Sequence, residues 1–403
     1  MKKFWLITYI LCLTTGLNAQ TLVEDSLTTD SATALPWPQN IVERLDHLME
    51  EPILKRTQLG LMVYDLTADS ALYCSGERQT MRPASIMKLV TAITALDLLG
   101  SGYQFRTSLY YTGTIRNRTL TGDIYCVGNM DPRFNSDDMN AFVESIRRMG
   151  VDTIRGRLIE DTSMKDESRL GEGWCWDDDN PTLTPLMISK KDNFMLRFVE
   201  ELLDKGIYLD APCSTGIVPN GAAIICSRFH PFEQILLQML KDSDNLYAES
   251  MLYQIAMRGG VKHATAKDAH QHIRKLITKI GLTPGNYKLA DGSGLSLYNY
   301  VSPELMVRLL RYAYRSPQIF SSLYPSLPIA GEDGTLSKRM KGFYTKGNVH
   351  AKTGTLTGIS SLAGYCTAAN NHLLAFCIIN QGILQNSKGR DFQDKVCTAL
   401  CEP

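Results

Sequence analysis

Residues 83–92 read "PASIMKLVTA". The stretch sets a lysine, Lys88, three residues after a serine, Ser85, in a segment that is otherwise apolar. From Ser85 to Leu99 the apolar positions are Ile86, Met87, Leu89, Val90, Ala92, Ile93, Ala95, Leu96, Leu98 and Leu99. They cover the whole circumference of a helix, which predicts a buried helix rather than a surface one. Pro83 before it and Gly100 after it supply a start and a stop. A charged amine inside such an element is unfavourable unless it is paired or neutral, so Lys88 needs a reason to be there.

Working outward, "LGLMVYDLTADSALYCSGE" upstream alternates around a polar turn and predicts a strand hairpin. Strands and turns are expected from Phe105 to Val127, and helices over 137–149 and 192–205, the second amphipathic with a glycine stop. Helices are expected again from Pro231, over 264–280, over 302–314 and from about 389 to the end. Between the last two lies "SSLAGYCTAANNHLLAFCIINQG", two apolar strands joined by Ala-Asn-Asn. Strand hairpins at both ends of the chain with helices between predict an α+β domain, its sheet built from both termini and interrupted by a long insertion.

The chain opens with two lysines, an apolar run from Phe4 to Leu13 and small or neutral residues to Ala19. This reads as a secretory signal peptide, 1–19, followed by a Ser/Thr/Asp-rich leader, 20–40. An exported, periplasmic protein is the expectation. No later run reaches the ~18 apolar residues of a membrane span. Lys plus Arg equals Asp plus Glu at 42 each, which gives no electrostatic case for nucleic acid as a partner. Of ten cysteines, Cys12 lies in the signal and no CxxC pair exists, so a metal site has no support. Cys366 and Cys377 fall in strand-like runs as core thiols. Cys397 and Cys401 are four apart, and a disulfide between them stays open. Asn117-Arg118-Thr119 matches a glycosylation sequon and is read as a turn. His350 is read as structural, and the other histidines form no catalytic or metal-binding pattern.

Ser85-x-x-Lys88 alone is weak, since both residues are common and a lysine near a helix end can snorkel to water. Two further triplets follow: Ser243-Asp244-Asn245, interrupting a helical stretch, and Lys352-Thr353-Gly354, preceding strand-like sequence. SxxK, SDN and KTG in this order form the signature of serine enzymes that react with penicillin. Residues three apart on a helix share a face, so the Lys88 amine can reach the Ser85 hydroxyl. Burial and repulsion from Lys352 would lower the Lys88 pKa, leaving a neutral amine able to take the serine proton.

Beyond the triplets, "RPASIMKLVTA", "TGDIYCVGNMDPRF", "GEGWCWDDD", "ADGSGLS", "LPIAGEDGTL" and "AKTGTLTGISSLAGY" resemble the penicillin-binding protein 4 type of D-alanyl-D-alanine carboxypeptidase/endopeptidase, peptidase family S13. The resemblance runs from about residue 60 to 380. It implies a β-lactamase/transpeptidase-like fold and hydrolysis of peptidoglycan stem peptides through an acyl-enzyme on Ser85. It also implies covalent inhibition by β-lactams and no cofactor. By the same resemblance Ser243 relays a proton to the leaving amine and Asn245 binds the substrate backbone. Lys352 adds positive potential, and Thr353, Gly354 and Thr355 line the site of the terminal carboxylate. The backbone N–H groups of Ser85 and Thr355 form the oxyanion hole.

Two departures stand out. Positions 89–242 are too few for the two insertion domains usual in the family, so one is expected, at 103–228, with the catalytic domain formed by 41–102 and 229–403. In the family an aspartate of the GWxWxD stretch, here Asp178, and an arginine just after DGSGLS recognise the diaminopimelate side chain. Leu297 occupies the arginine position, so a weaker preference for that free carboxylate is expected. The alternatives are a β-lactamase, which lacks a recognisable deacylating glutamate here, and a non-catalytic penicillin- or peptidoglycan-binding protein, which the intact motifs do not favour.

Overall fold

Both termini do build one sheet. A computed structural model describes residues 35–176, 180–210 and 212–403, of which Trp37–Pro403 form one compact unit. The expected signal peptide, most of the leader and Asp178 lie outside the described residues.

In chain order, helix α1 (Gln39–Leu48) starts within the stretch read as leader and is followed by strands β1 (Gln58–Asp65) and β2 (Ser70–Ser75) and helix α2 (Met87–Leu99). The middle of the chain carries β3 (Gln104–Tyr111), β4 (Thr114–Arg116), β5 (Thr119–Thr121), β6 (Ile124–Val127), α3 (Ser136–Arg148), β7 (Thr153–Arg155) and β8 (Leu158–Asp161). It continues with α4 (Phe194–Asp204), β9 (Tyr208–Asp210), β10 (Cys213–Thr215) and β11 (Ala223–Pro231). Helices α5 (Phe232–Lys241), α6 (Asn245–Ala256), α7 (Ala266–Lys279), α8 (Pro303–Tyr314) and α9 (Pro317–Ser326) follow. The chain closes with β12 (His350–Leu356), β13 (Ile359–Thr367), β14 (Leu373–Gln381) and α10 (Asn386–Cys401).

The main sheet runs β12-β13-β14-β1-β2, so the N-terminal hairpin pairs with the C-terminal strands, Gln58 opposite Gln381 and Asp65 opposite Leu374. Its central strands β13, β14 and β1 are buried along most of their length because both faces are covered. On β14, Leu374, Phe376 and Ile378 enter the layer beneath α1 and α10, together with Leu61 and Val63. The alternate residues Ala375, Cys377 and Ile379 enter the layer packed by α2, α5, α6 and α8. Period-two side-chain direction thus feeds two cores from one continuous apolar run. Helix α2 is buried from Met87 through Leu96, as its all-round apolar pattern predicts.

The chain leaves at Tyr103 and returns at Phe232 along paired antiparallel strands, Gln104 opposite Pro231 and Tyr111 opposite Ala223. Between these points it builds the sheets β10-β8-β6-β3-β11 and β4-β5-β7-β9, with a core from Leu109, Phe134, Phe142, Phe198 and neighbours. The Asn117-Arg118 turn joining β4 to β5 has φ of 46° and 62°, as a tight hairpin turn requires. Cys397 and Cys401 carry free thiols on one face of α10, and Cys401 lies against Cys366 instead. Among the described residues no helix is long and apolar enough to cross a membrane.

Phe376 is fully buried in β14. Phe376→Ala should lower the unfolding free energy by about 3–5 kcal/mol, measured by urea denaturation.

Candidate active site

The site assembles where α2, α6, β12 and the loop 291–299 meet. Ser85 does not sit inside the helix: it lies in a one-turn 3-10 segment, Ala84–Ile86, that leads into α2. Ala84, just before it, has φ 51°, a strained value for a residue with a Cβ. The turn is held from two sides. Ser361 Oγ donates to the Pro83 carbonyl at 2.6 Å, and a Cβ on Gly294 would come within 1.9 Å of the Ala84 carbonyl oxygen.

Lys88 is fully buried and three acceptors surround its amine: Ser85 Oγ at 3.1 Å, Asn245 Oδ1 at 2.7 Å and the Ser293 carbonyl at 2.8 Å. Burial pulls its pKa down to about 8, against an opposing pull from Asp291, Glu249 and Asp244. Lys352, also fully buried, donates to Ser243 Oγ at 2.8 Å and to the Thr353 carbonyl at 2.8 Å. Its pKa is driven well below the lysine value by burial and by Lys88. The repulsion expected to depress Lys88 therefore falls on Lys352, because the carboxylates stand around Lys88.

Ser243 has φ 61°, a kink that separates α5 from α6 and turns its hydroxyl to Lys352. Asp244 caps α6 by accepting from Tyr247 N, which leaves Asn245 at the first helical position facing Lys88. Thr353 Oγ1 bonds Thr335 Oγ1 at 2.8 Å, and Thr355 is exposed beside it. Gly354 is required by packing: a Cβ there would lie 2.2 Å from Ser361 Oγ, 2.8 Å from the Pro83 carbonyl and 2.9 Å from Ser85 N. The strand can press against the serine turn only without a side chain. Ser85, Lys88, Ser243, Asn245, Lys352, Thr353, Gly354 and Thr355 are brought together, while Asp178 lies outside the described residues. His350, by contrast, stacks on Tyr324 with ring centroids 4.2 Å apart.

Four contributors escape sequence reasoning. Asp291, buried, accepts from Gly294 N, Ser296 N, Asn299 Nδ2 and Trp174 Nε1 at 2.7–2.9 Å, which shapes the loop that carries the Ser293 carbonyl. Glu249 on α6, also buried, accepts from Gly292 N at 3.0 Å and Ser293 N at 2.8 Å. Burial and Asp291 push its pKa up to about 8, against those bonds. Lys190, in the left-handed region at φ 65° after Ser189 at φ 50°, reaches Asp244 Oδ2 at 2.5 Å. Thr335 extends the hydroxyl row of Thr353. The quoted stretches "ADGSGLS" and "LPIAGEDGTL" were the available signals for Asp291 and Thr335; nothing local marks the other two.

Comparison with known proteins now bears on this geometry. The model of the D-Ala-D-Ala carboxypeptidase 3 (S13) family matches residues 41–191 and 184–401. The chain belongs to that family. It is an enzyme of the serine-type D-Ala-D-Ala carboxypeptidase class. A D-alanyl-D-alanine carboxypeptidase of Actinomadura sp. (strain R39) is 27% identical over 84% of this chain and 80% of that protein. The D-alanyl-D-alanine carboxypeptidase DacB of Haemophilus influenzae is 26% identical over 73% of this chain and 79% of that protein. The crystal structure of penicillin binding protein 4 (dacB) from Haemophilus influenzae covers 89% of this chain and 99% of its own at TM-score 0.83 and 22% identity, showing the same fold. That protein has also been solved complexed with a novel β-lactam.

Gly354→Ala should slow acylation of Ser85 by at least about tenfold with little change in secondary structure, since a methyl group wedges β12 from the serine turn. Stopped-flow acylation and circular dichroism on the same sample test it.

Proposed function

We propose that the protein is an exported, periplasmic peptidase that hydrolyses the D-Ala-D-Ala bond of peptidoglycan stem peptides through an acyl-enzyme on Ser85. The observation that carries this reading is the 3.1 Å contact between Ser85 Oγ and a fully buried Lys88 amine. With its pKa lowered to about 8, Lys88 is a base close to neutrality, positioned on the proton it must take.

Ser85 Oγ attacks the carbonyl carbon of the penultimate D-alanine as its proton passes to Lys88. Backbone N–H groups of Ser85 and Thr355 hold the developing oxyanion, a contribution of about 2.7–4 kcal/mol per donor in comparable sites. Asn245 Oδ1 is engaged by Lys88, which leaves its amide N–H₂ for the substrate backbone. The terminal carboxylate lies against Lys352, Thr353, Gly354 and Thr355. Its negative charge offsets the burial that depresses Lys352, so the cation forms where the anion binds. The proton held by Lys88 is relayed through the Ser243 hydroxyl, which Lys352 orients, to the departing amine, and this leaves Lys88 neutral. Water then attacks the ester with Lys88 again as base.

The same acyl-enzyme forms whether the leaving amine is free D-alanine or the cross-linking residue of a second strand, so the proposal covers carboxypeptidase and endopeptidase action. β-Lactams acylate the same serine. A β-lactamase would need a group to activate water against the penicilloyl ester. The glutamates between the SDN and KTG motifs are otherwise engaged: Glu249 binds the Gly292 and Ser293 backbone and Glu304 pairs with Arg308. The remaining one, Glu332, lies against Gly347.

Intact mass after excess penicillin should show a long-lived adduct on the wild type and none on Ser85→Ala. Rapid drug hydrolysis with a transient adduct would instead assign a β-lactamase, and neither adduct nor hydrolysis a non-catalytic protein. Protonated Lys88 cannot accept the serine proton. The acylation rate should therefore rise about tenfold per pH unit below the Lys88 pKa and level off above about 8. Lys88→Ala should lower the rate by at least about a hundredfold at every pH and abolish that limb.

A further inference from the structure

The loop that leads into β12 reads "LSKRMKGFYTKGNV", residues 336–349, with four cations and no acid. Its stem is fixed from several sides. Arg339 pairs with Asp394 of α10 at 2.6 Å, and Met340 is buried in the layer beneath α1 and α10. Thr345, also buried, donates its hydroxyl to the Met340 carbonyl at 3.0 Å. Asn348 exchanges bonds with the Thr367 backbone of β13, both at 2.8 Å, and its Nδ2 also donates to the Tyr344 carbonyl at 2.9 Å. A backbone turn closes the tip, with Thr345 N and Lys346 N donating to the Gly342 carbonyl at 3.2 and 2.9 Å.

What this stem holds out is apolar. Phe343 is 92% exposed, and Tyr344 stands edge-on to it with ring centroids 5.1 Å apart. Burying such a ring is favourable, yet the anchored stem keeps the loop from folding it back onto the protein. Lys338, Lys341 and Lys346 are exposed around it, and of the four cations only Arg339 is paired with an acid among the described residues. Of the two acids just before the loop, Asp333 is already paired with Lys241 at 2.6 Å, which leaves Glu332 against three lysines. The chain as a whole balances 42 cations with 42 acids, so the positive charge here is local. Peptides and small molecules are held in concave sites, and a ring this exposed has no such walls. An aromatic tip flanked by lysines suits a bilayer interface instead. There the rings enter at headgroup level while the lysine stems keep their amines among the phosphates.

We propose that this loop is a peripheral membrane-binding site: Phe343 and Tyr344 insert at the headgroup level of a bilayer containing anionic phospholipid, and Lys338, Lys341 and Lys346 contact its phosphates. Three lysines and two rings give reversible, salt-sensitive attachment rather than permanent anchoring. The loop runs directly into β12, and Thr335 just before it bonds Thr353, so attachment holds the cleft near the bilayer surface. Such attachment does not depend on the peptidase reading.

Flotation of the mature chain, residues 20–403, with lipid vesicles tests the site. The expected signal peptide is left out because its apolar run would itself bind lipid, and the compact unit Trp37–Pro403 stays whole. Vesicles of phosphatidylglycerol mixed with phosphatidylcholine should carry the protein up the gradient, and phosphatidylcholine alone should not. The bound fraction should fall in high salt. Phe343→Ser should weaken binding by at least about tenfold, and Phe343→Trp should retain it. Lys341→Gln should weaken it by about fivefold, the scale of one basic residue at an anionic surface. Thermal melting followed by circular dichroism should match the wild type in all three variants, since both side chains are exposed. Equal binding to neutral and anionic vesicles, or unchanged binding in Phe343→Ser, would overturn the site. Absence of binding to the anionic vesicles would overturn it too. A dimer broken by Phe343→Ser would then assign the tip to self-association, and loop-dependent retention on isolated peptidoglycan would assign it to the wall.

Discussion

Everything in the site turns on keeping the Lys88 amine dry and fully bonded. A buried ammonium is tolerated only where acceptors replace its water, and here each acceptor comes from a different element: the serine turn, the start of α6 and the 291–299 loop. Their meeting point fixes how α2, α6 and that loop pack. The all-round apolar surface of α2 then has a second meaning. It makes the helix a core element, and so leaves its single lysine no route to solvent.

The two lysines are alike in burial and differ in company. Lys88 has Asp291, Glu249 and Asp244 around it, whereas the charge felt by Lys352 is Lys88 itself. One remains a base near neutrality. The other is biased towards its neutral form until an anion arrives. On the proposed mechanism this asymmetry lets one cation serve proton transfer and the other serve binding, without a difference in residue type. It depends on acids that make no hydrogen bond to the Ser85 hydroxyl: Asp291 and Glu249 raise the Lys88 pKa by their charge and also hold the loop that presents the Ser293 carbonyl.

Much of this was legible in the sequence, for identifiable reasons. Ser85 and Lys88 stand three residues apart, the sheet strands carry apolar runs, and Lys352-Thr353-Gly354 stands just before strand-like sequence. What was not legible depends on tertiary geometry. The one-turn 3-10 segment that lifts Ser85 out of α2 is set by Gly294 and Ser361, far away in the chain. The left-handed backbone at Ser189 and Lys190 gives no composition signal, and Glu249 reads like any helix glutamate until its burial is seen. Helix α9 escaped for a simpler reason: Pro317 and the internal Pro325 make it read as a connection. The Arg82 contact with the Leu297 carbonyl likewise joins residues far apart in the chain, which no sequence reading brings together.

The middle segment is tied to the catalytic elements by more than its two connecting strands. Met130, Met164, Leu183 and Met187 pack with Leu246 and Tyr253 of α6. Lys165 lies 4.8 Å over the Tyr253 ring, Gln254 donates to the Asn129 carbonyl at 2.6 Å, and Trp174 is bonded to Asp291. Helix α6 therefore has one end in the chemistry, through Asn245, and a flank against the middle segment. A displacement of that segment would move the helix that positions Asn245 and the loop that carries the Ser293 carbonyl, both of them partners of Lys88. Close packing transmits such shifts rather than absorbing them. The middle segment thus braces the helix and the loop that supply two of the three acceptors of Lys88, so its packing onto α6 helps to set the shape of the cleft.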